Sequence, residues 1–364
     1  MYNYHKKIQS FHEDHVRLTR VQQDDMSARR HRNVKRIREG LKENGKPAFD
    51  HEIKQGGYAH LTMVQPPEAN QESRYDIDNA IVFAADDADV APATARERVR
   101  AAIAKKGTGF KDAPVAKQKC VRVTYSEGYQ CDFPVMRCQK DSAGKGYDYE
   151  LAAGDEWLAR DSTEITSWVF KQVASKSPEG DGSYQLRRII RLMKFYAKTH
   201  AYHNRHSFPA GIVMTALVIK HYVAKSERDD LSFRETLRAI ENSASTPVYA
   251  DQEEVSDKRD EDRIERLIAQ TKESLEELDT LDADDTTEAQ ARKAWRKVFR
   301  HSFFDASAQK SDQGNSASAG GLATAAIAAT VASAATATAQ QTDQMERHRQ
   351  ERLKDDDYSK PWAP

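Results

Sequence analysis

The sequence predicts an α+β protein in which a small mixed, largely antiparallel sheet in the first half is joined to a helical lobe in the second. Three observations carry this. Strand-like runs rich in β-branched and aromatic residues fall between Phe49 and Met136, whereas from Glu164 onward apolar residues recur almost only at helical spacing. Between Cys120–Tyr125 and Tyr129–Met136 lies Ser126-Glu127-Gly128, the composition of a three-residue hairpin turn.

Taken in order, residues Met1 to Gly45 are dense in charge, with Ile8, Phe11, Val16, Val21, Val34, Ile37 and Leu41 at loosely helical positions. One or two amphipathic helices follow, read as a solvated brace and stopped by Gly45 and Pro47. Phe49 to Gln55 reads as a short strand ending at Gly56-Gly57, with a short helix over Tyr58 to Met63. The run Arg74-Tyr-Asp-Ile-Asp-Asn-Ala-Ile-Val-Phe83 reads as a buried strand, followed by a helix from Thr94 to Lys105. Further helices are expected over 164–174, 184–200, 208–224, 232–243, 257–281 and 287–303, the last carrying Trp295, Val298 and Phe304 toward a core. After Asp305 the composition turns to Ser, Gly, Gln and an Ala-Thr run, the mark of a disordered tail. The expected division is therefore 1–160 for the N-terminal helix and sheet lobe, 161–304 for the helical lobe and 305–364 for the tail.

Composition narrows the partners. The 364 residues carry a net charge of -1, so neither long nucleic acid nor an anionic membrane is advertised by global charge. The alanine run Ala319–Ala339 is too rich in Thr and Ser, and too poor in Leu, Ile and Phe, to drive insertion. Three cysteines make no even disulfide framework and the first residues lack an apolar signal core, so a cytoplasmic location is expected.

The chemistry-bearing signal is a set of carboxylates. Residues two apart on a strand share a face about 6.6 Å apart, so Asp76 and Asp78 converge while Ile77 points into the opposite layer. Asp87/Asp89, Asp260/Asp262 and Asp355/Asp357 repeat the spacing in solvated settings. What singles out the first pair is its apolar strand, where adjacent acids are costly unless a cation neutralises them. Asp132 sits in a second apolar strand, and neighbouring strands lie about 4.8 Å apart. Such a patch suits two magnesium ions about 3.5–4 Å apart, with manganese as a substitute; the competing reading is aspartates capping strand ends. Gly56 and Gly57 are either a plain turn or a cradle of backbone amides for phosphate. Lys194 is either an exposed cation on a basic helix face or a phosphate contact.

Four segments in order, Gln55-Gly-Gly-Tyr58, Asp76-Ile-Asp78, Cys120-Val-Arg-Val123 with Cys131-Asp-Phe-Pro134, and Arg191-Leu-Met-Lys194, resemble the cGAS/DncV-like nucleotidyltransferases of bacterial anti-phage signalling. Trp157-Leu-Ala-Arg-Asp161 and Trp168-Val-Phe170 extend the likeness, which covers roughly 49–222. The resemblance implies a polymerase-β-like core with its active site in a cleft against the helical lobe. It implies that Asp76 and Asp78 bind both metals, that Asp132 binds one and helps deprotonate the acceptor hydroxyl, and that Gly56 and Gly57 hold donor phosphates. It also implies that Lys194 reaches the triphosphate and that Ser207 contacts phosphate ahead of the next helix, where it is also a good N-cap. Gly57 departs from the serine usual in this turn. The implied reaction makes a cyclic di- or trinucleotide messenger from NTPs, ATP among them. Regulatory or conjugating proteins are implied partners, with the tail as a contact. A linear nucleotidyl or AMP transferase acting on RNA or protein, and a silent nucleotide-binding module, remain the rivals.

Weaker signals are set aside by composition and spacing. His200, His203 and His206 step past a helix end with no C-x2-C pair nearby, which reads as a solvated cluster rather than zinc ligands. Cys131 reads as a core residue, and Tyr75, Tyr196 and Tyr202 as packing aromatics or base-stacking platforms.

Overall fold

A computed structural model describes residues 1–70, 75–140, 142, 147–178 and 184–305. The described residues all belong to one compact unit. The tail expected after Asp305, alanine run included, lies outside the described residues.

The charged N-terminal region forms helix α1 (His5–Phe11), a π-helical turn (His12–Val16) and helix α2 (Arg20–Glu43). Thr19 and Gln22 cap α2 reciprocally, satisfying two otherwise orphaned backbone donors. The apolar positions anticipated here are divided between two cores. Ile8, Phe11 and Val16 are fully buried in the helical core, while Val34, Ile37 and Leu41 pack on the sheet, joined there by Met26. Val21 alone of that set stays strongly exposed.

Strand β1 (His51–Gln55) leads into the short helix α3 (Gly56–Ala59), which begins two residues before the helix expected at Tyr58. Strand β2 (Asp76–Ala84) is the axis of the sheet. After helix α4 (Pro92–Lys106) come β3 (Val115–Ala116), β4 (Val121–Thr124), β5 (Gln130–Phe133), β6 (Val135–Lys140), β7 (Tyr147–Ala153) and β8 (Glu156–Ala159). β1 runs antiparallel to one side of β2, and β5 and β6 run parallel to its other side in succession, divided at Pro134. β4 and β7 then pair antiparallel with β5 and β6. Pro134 has no N–H for a ladder, which fits its place at the break. Alternation along β2 sends Ile77, Ile81 and Phe83 into the core shared with α2 and α4, and Ala80 and Val82 to the opposite face with Ile53 and Met136.

The second half holds α5 (Ser162–Lys176), α6 (Gln185–Asn204), α7 (Gly211–His221) and α8 (Asp229–Ser243). A small hairpin of β9 (Tyr249–Ala250) and β10 (Glu253–Glu254) precedes α9 (Asp260–Asp279) and α10 (Glu288–Phe299). Leu186, Ile189, Ile190 and Met193 of α6 pack at the centre of this core with Trp295, Val298, Phe299 and Phe304. The helix expected from Phe208 starts only at Gly211, with Ala210 as its N-cap residue. The N-cap role expected for Ser207 is therefore corrected: Pro209 bars Phe208 from helical dihedrals, and the helix waits until the chain is past it. No helix among the described residues is long and apolar enough to cross a membrane.

Candidate active site

The strand register brings the three aspartates together. Asp78 of β2 lies directly opposite Asp132 of β5, and Asp76 shares the face of Asp78 two residues before it. One carboxylate oxygen from each of Asp76, Asp78 and Asp132 lies within 4.8 Å of the others. Three oxygens so close repel one another. Burial, then Asp132, raises the pKa of Asp76 to about 6, although the residue opens its strand at an exposed position. Burial, then Asp76 and Asp132, raises that of Asp78 to about 7. A set of hard oxygen donors held against their own repulsion fits a small divalent cation, which would remove the cost.

Arg122 was not anticipated. It donates from Nε and Nη2 to the two Asp132 oxygens at 2.7 and 2.5 Å, and this pairing raises its own pKa further. The signal was available: a hairpin centred on Glu127 pairs position 122 with 132, and these two are Cα partners. Asp132 thus reaches the cluster with both oxygens already held by a guanidinium that any bound metal must share.

The turn after β1 abuts the acids because Gln55 pairs with Asp78. Gly56 is left-handed at φ +61, and a Cβ there would stand 2.3 Å from Asp78 Oδ2; both facts favour glycine. At Gly57 a Cβ would meet Met63 Cγ at 3.2 Å, and the Met63 backbone nitrogen and Lys194 Nζ at the ordinary contact distances of 3.7 and 3.9 Å. The site therefore accommodates the serine usual in the family, given a small movement of the flexible Met63 side chain.

Lys194 reaches this turn from α6. Its Nζ donates to the hydroxyl of Thr62 at 2.8 Å, and Thr62 is wholly buried. Burial first, then Lys198 and Arg191, lowers the Lys194 pKa to about 7, so a phosphate beside it would restore its full charge. Lys198, one turn further along, lies near enough to Asp76 to favour that carboxylate's ionised form. From sequence Lys198 reads only as another cation of the basic helix face that carries Lys194, and Thr62 had no local signal. Thr62→Val removes the acceptor that fixes the ammonium, and is expected to raise the KM for the nucleotide about tenfold with kcat little changed. Initial-rate kinetics across nucleotide concentration would separate the two parameters.

Ser207 stands apart from these contacts. It is exposed, and the contact it makes is through its carbonyl, which accepts from Arg266 Nη1 at 3.4 Å. His200 is buried with Nε2 2.8 Å from the Val298 carbonyl, while His203 and His206 are exposed. The three are not among the metal-sized groups formed by described residues. Cys131 is fully buried in the sheet core. Tyr75 packs on Tyr129 with ring centroids 5.4 Å apart, and Tyr196 is buried with its hydroxyl donating to the Gln270 carbonyl at 2.9 Å. Tyr202, at 47% exposure, is the one of the three tyrosines open to a base.

Residues 51–136, which span β1, the turn and all three aspartates, match the family model described as the cyclic GMP-AMP synthase DncV-like nucleotidyltransferase domain. That segment is similar to a DncV-like nucleotidyltransferase domain. Solved structures agree on the fold beyond the DncV-like segment. The chain is similar to the Vibrio cholerae DncV cyclic AMP-GMP synthase, described as a prokaryotic cGAS homolog, at TM-score 0.63 and 15% identity, over 82% of this chain and 96% of that one. It is similar to the same enzyme in complex with the linear intermediate 5' pppA(3',5')pG, at 0.62 and 16%, over 82% and 96%. The GTP-bound form matches at 0.60 and 16%, over 82% and 95%. The α+β polymerase-β-like fold expected from sequence is the observed one.

Proposed function

We propose that this protein joins nucleoside triphosphates, ATP among them, into a cyclic di- or trinucleotide by nucleotidyl transfer. The observation that carries the proposal is the convergence of Asp76, Asp78 and Asp132 within 4.8 Å of one another, with the Lys194 ammonium brought to the same turn from the helical side. Carboxylates on one wall and a cation on the other match a substrate whose metal-bound triphosphate must be held while its α-phosphate is attacked.

In the proposed reaction a ribose hydroxyl of one nucleotide forms a bond to the α-phosphorus of another. The bond from that phosphorus to the bridging oxygen breaks, and pyrophosphate leaves with the electron pair. A second, intramolecular transfer of the same kind closes the ring. Asp76 and Asp78 would hold two magnesium ions, and Asp132 one of them. Bound there, divalent ions supply a lowered pKa at the attacking hydroxyl and neutralise charge on the departing pyrophosphate.

The protein's own residues do the positioning. Asp132 lies beside the acceptor hydroxyl as a proton-accepting group, and Arg122 fixes its orientation by holding both oxygens. Gly56 and Gly57 bring backbone amides to the donor phosphates, and Thr62 aims Lys194 at them. Ser207 is a further phosphate contact that closure over a substrate would bring in. Since Gly57 leaves room for a side chain, Gly57→Ser is expected to fold normally and to lower the KM for the donor several-fold, through one added hydroxyl–phosphate hydrogen bond. Titration of the rate against ATP would show it.

Incubation with each labelled triphosphate, followed by phosphatase and mass analysis, tests the reading. A phosphatase-resistant oligonucleotide made from triphosphates alone supports it. Label transferred to added RNA or to protein would instead establish a linear transferase, and magnesium-dependent nucleotide binding with no pyrophosphate release a silent binding module. A place in anti-phage signalling, with the product acting on a separate effector, belongs to the same proposal; loss of phage protection by cells carrying the Asp76→Asn variant is its test.

A further inference from the structure

Behind the donor turn lies a cavity of about 840 Å³ that shares none of its lining residues with the aspartate cluster or Lys194. It is walled by α1 and the turn that follows, by Leu61, and by the first turns of α6. Its charge is unbalanced: Lys6, Arg17, Arg187, Arg188 and Arg191 face Glu13 and Asp14.

Local pairing accounts for only part of this. Arg188 is taken by buried Asp229, with Nε and Nη2 at 2.6 and 3.0 Å. Arg17 donates to Glu13 at 2.7 Å. Arg191 spends Nε and Nη2 on the neutral carbonyl of Leu61, at 3.0 and 2.7 Å. Arg187 lies over the rings of Phe170 and Tyr184, at 5.4 and 5.0 Å, and its Nε is buried with no hydrogen-bond partner. Burial, then Arg17 and Arg187, pushes Arg191 down to about 9, which reports positive charge crowded beyond what nearby Glu13 offsets.

Guanidinium forks collected at one end of a cavity of this size are suited to a multiply charged phosphate group and not to a neutral ligand. We propose that this cavity is a second anion site, which binds the polyphosphate chain of a small molecule through Lys6, Arg187 and Arg191. The carbonyl that Arg191 holds belongs to Leu61, a residue at φ +56 that closes the donor turn, so the site sits directly behind the loop carrying Gly56 and Gly57.

The test uses the full-length chain carrying Lys194→Ala, which disables the donor site, and measures tripolyphosphate binding by calorimetry in EDTA. Saturable one-to-one binding is expected. Adding Lys6→Glu, an exposed position on α1 whose change costs no packing, should weaken it at least about tenfold through the reversed charge, and so should Arg187→Gln. Absence of saturable binding in the Lys194→Ala protein overturns the proposal, as does binding that Lys6→Glu leaves within about threefold. Because no turnover is measured, failure of the synthase reading would leave this result standing, and the reverse holds as well.

Discussion

Asp78→Asn is expected to lose activity by about 1,000-fold or more, as removal of a metal-binding carboxylate does, and yet to melt higher than the parent protein in EDTA at pH 8. The two effects have one cause. The native state raises the Asp78 pKa from 3.8 to about 7, so between those values the folded protein binds a proton that the unfolded chain has released. The stability linked to this group is therefore complete below pH 3.8 and lost as pH rises through about 7. Asparagine cannot ionise and escapes the loss. The gain is on the order of 2 kcal/mol once water screening is allowed for, or roughly 4 °C. Magnesium should shrink the difference by stabilising only the parent protein. Metal binding near pH 6.5 should also release protons, visible as a dependence of the calorimetric heat on buffer ionisation enthalpy. Melting curves with and without magnesium would settle both; equal melting temperatures in EDTA would mean that the three carboxylates are not strained against one another.

Gly56→Ala is the second large effect, and it acts without removing a charged group. Its added methyl would stand 2.3 Å from Asp78 Oδ2 at a backbone position of φ +61. Either the carboxylate swings away or the turn leaves its left-handed conformation. Displacing a reacting group by about 1 Å costs roughly 100-fold in rate, and the backbone strain adds about 1–2 kcal/mol of destabilisation. Loss of activity with weakened manganese binding, in a protein that still folds, is the expected result. Gly57→Ser, one residue along, should show neither defect, and that contrast separates a steric role at Gly56 from general intolerance of the turn.

Much of the site was legible because it obeys the two-residue period of strands. Asp76 and Asp78 share a face, Ile77 turns into the core, and the hairpin turn at Ser126–Gly128 sets Asp132 in the neighbouring strand. The same register implied Arg122 opposite Asp132. That the second strand of this hairpin continues past Pro134 parallel to β2 depends on contacts some 50 residues apart and left no local mark. The β7–β8 hairpin was missed although Tyr147, Tyr149 and Leu151 alternate with Asp148 and Glu150 and Gly154-Asp155 is a turn signal. Ser207 was misread as a cap because its composition suits one, while Pro209 pushed the helix start to Gly211. Thr62 owes its importance to Lys194, 132 positions away, and such a contact exists only once the two halves pack.

The most direct test of the account is an anomalous-scattering map from crystals soaked with Mn2+ and a non-hydrolysable ATP analogue. The prediction is manganese bound by Asp76 and Asp78, one ion also touching Asp132, with the triphosphate extending toward Gly57 and Lys194. Manganese absent from the three aspartates, or an analogue seated away from them, would contradict it.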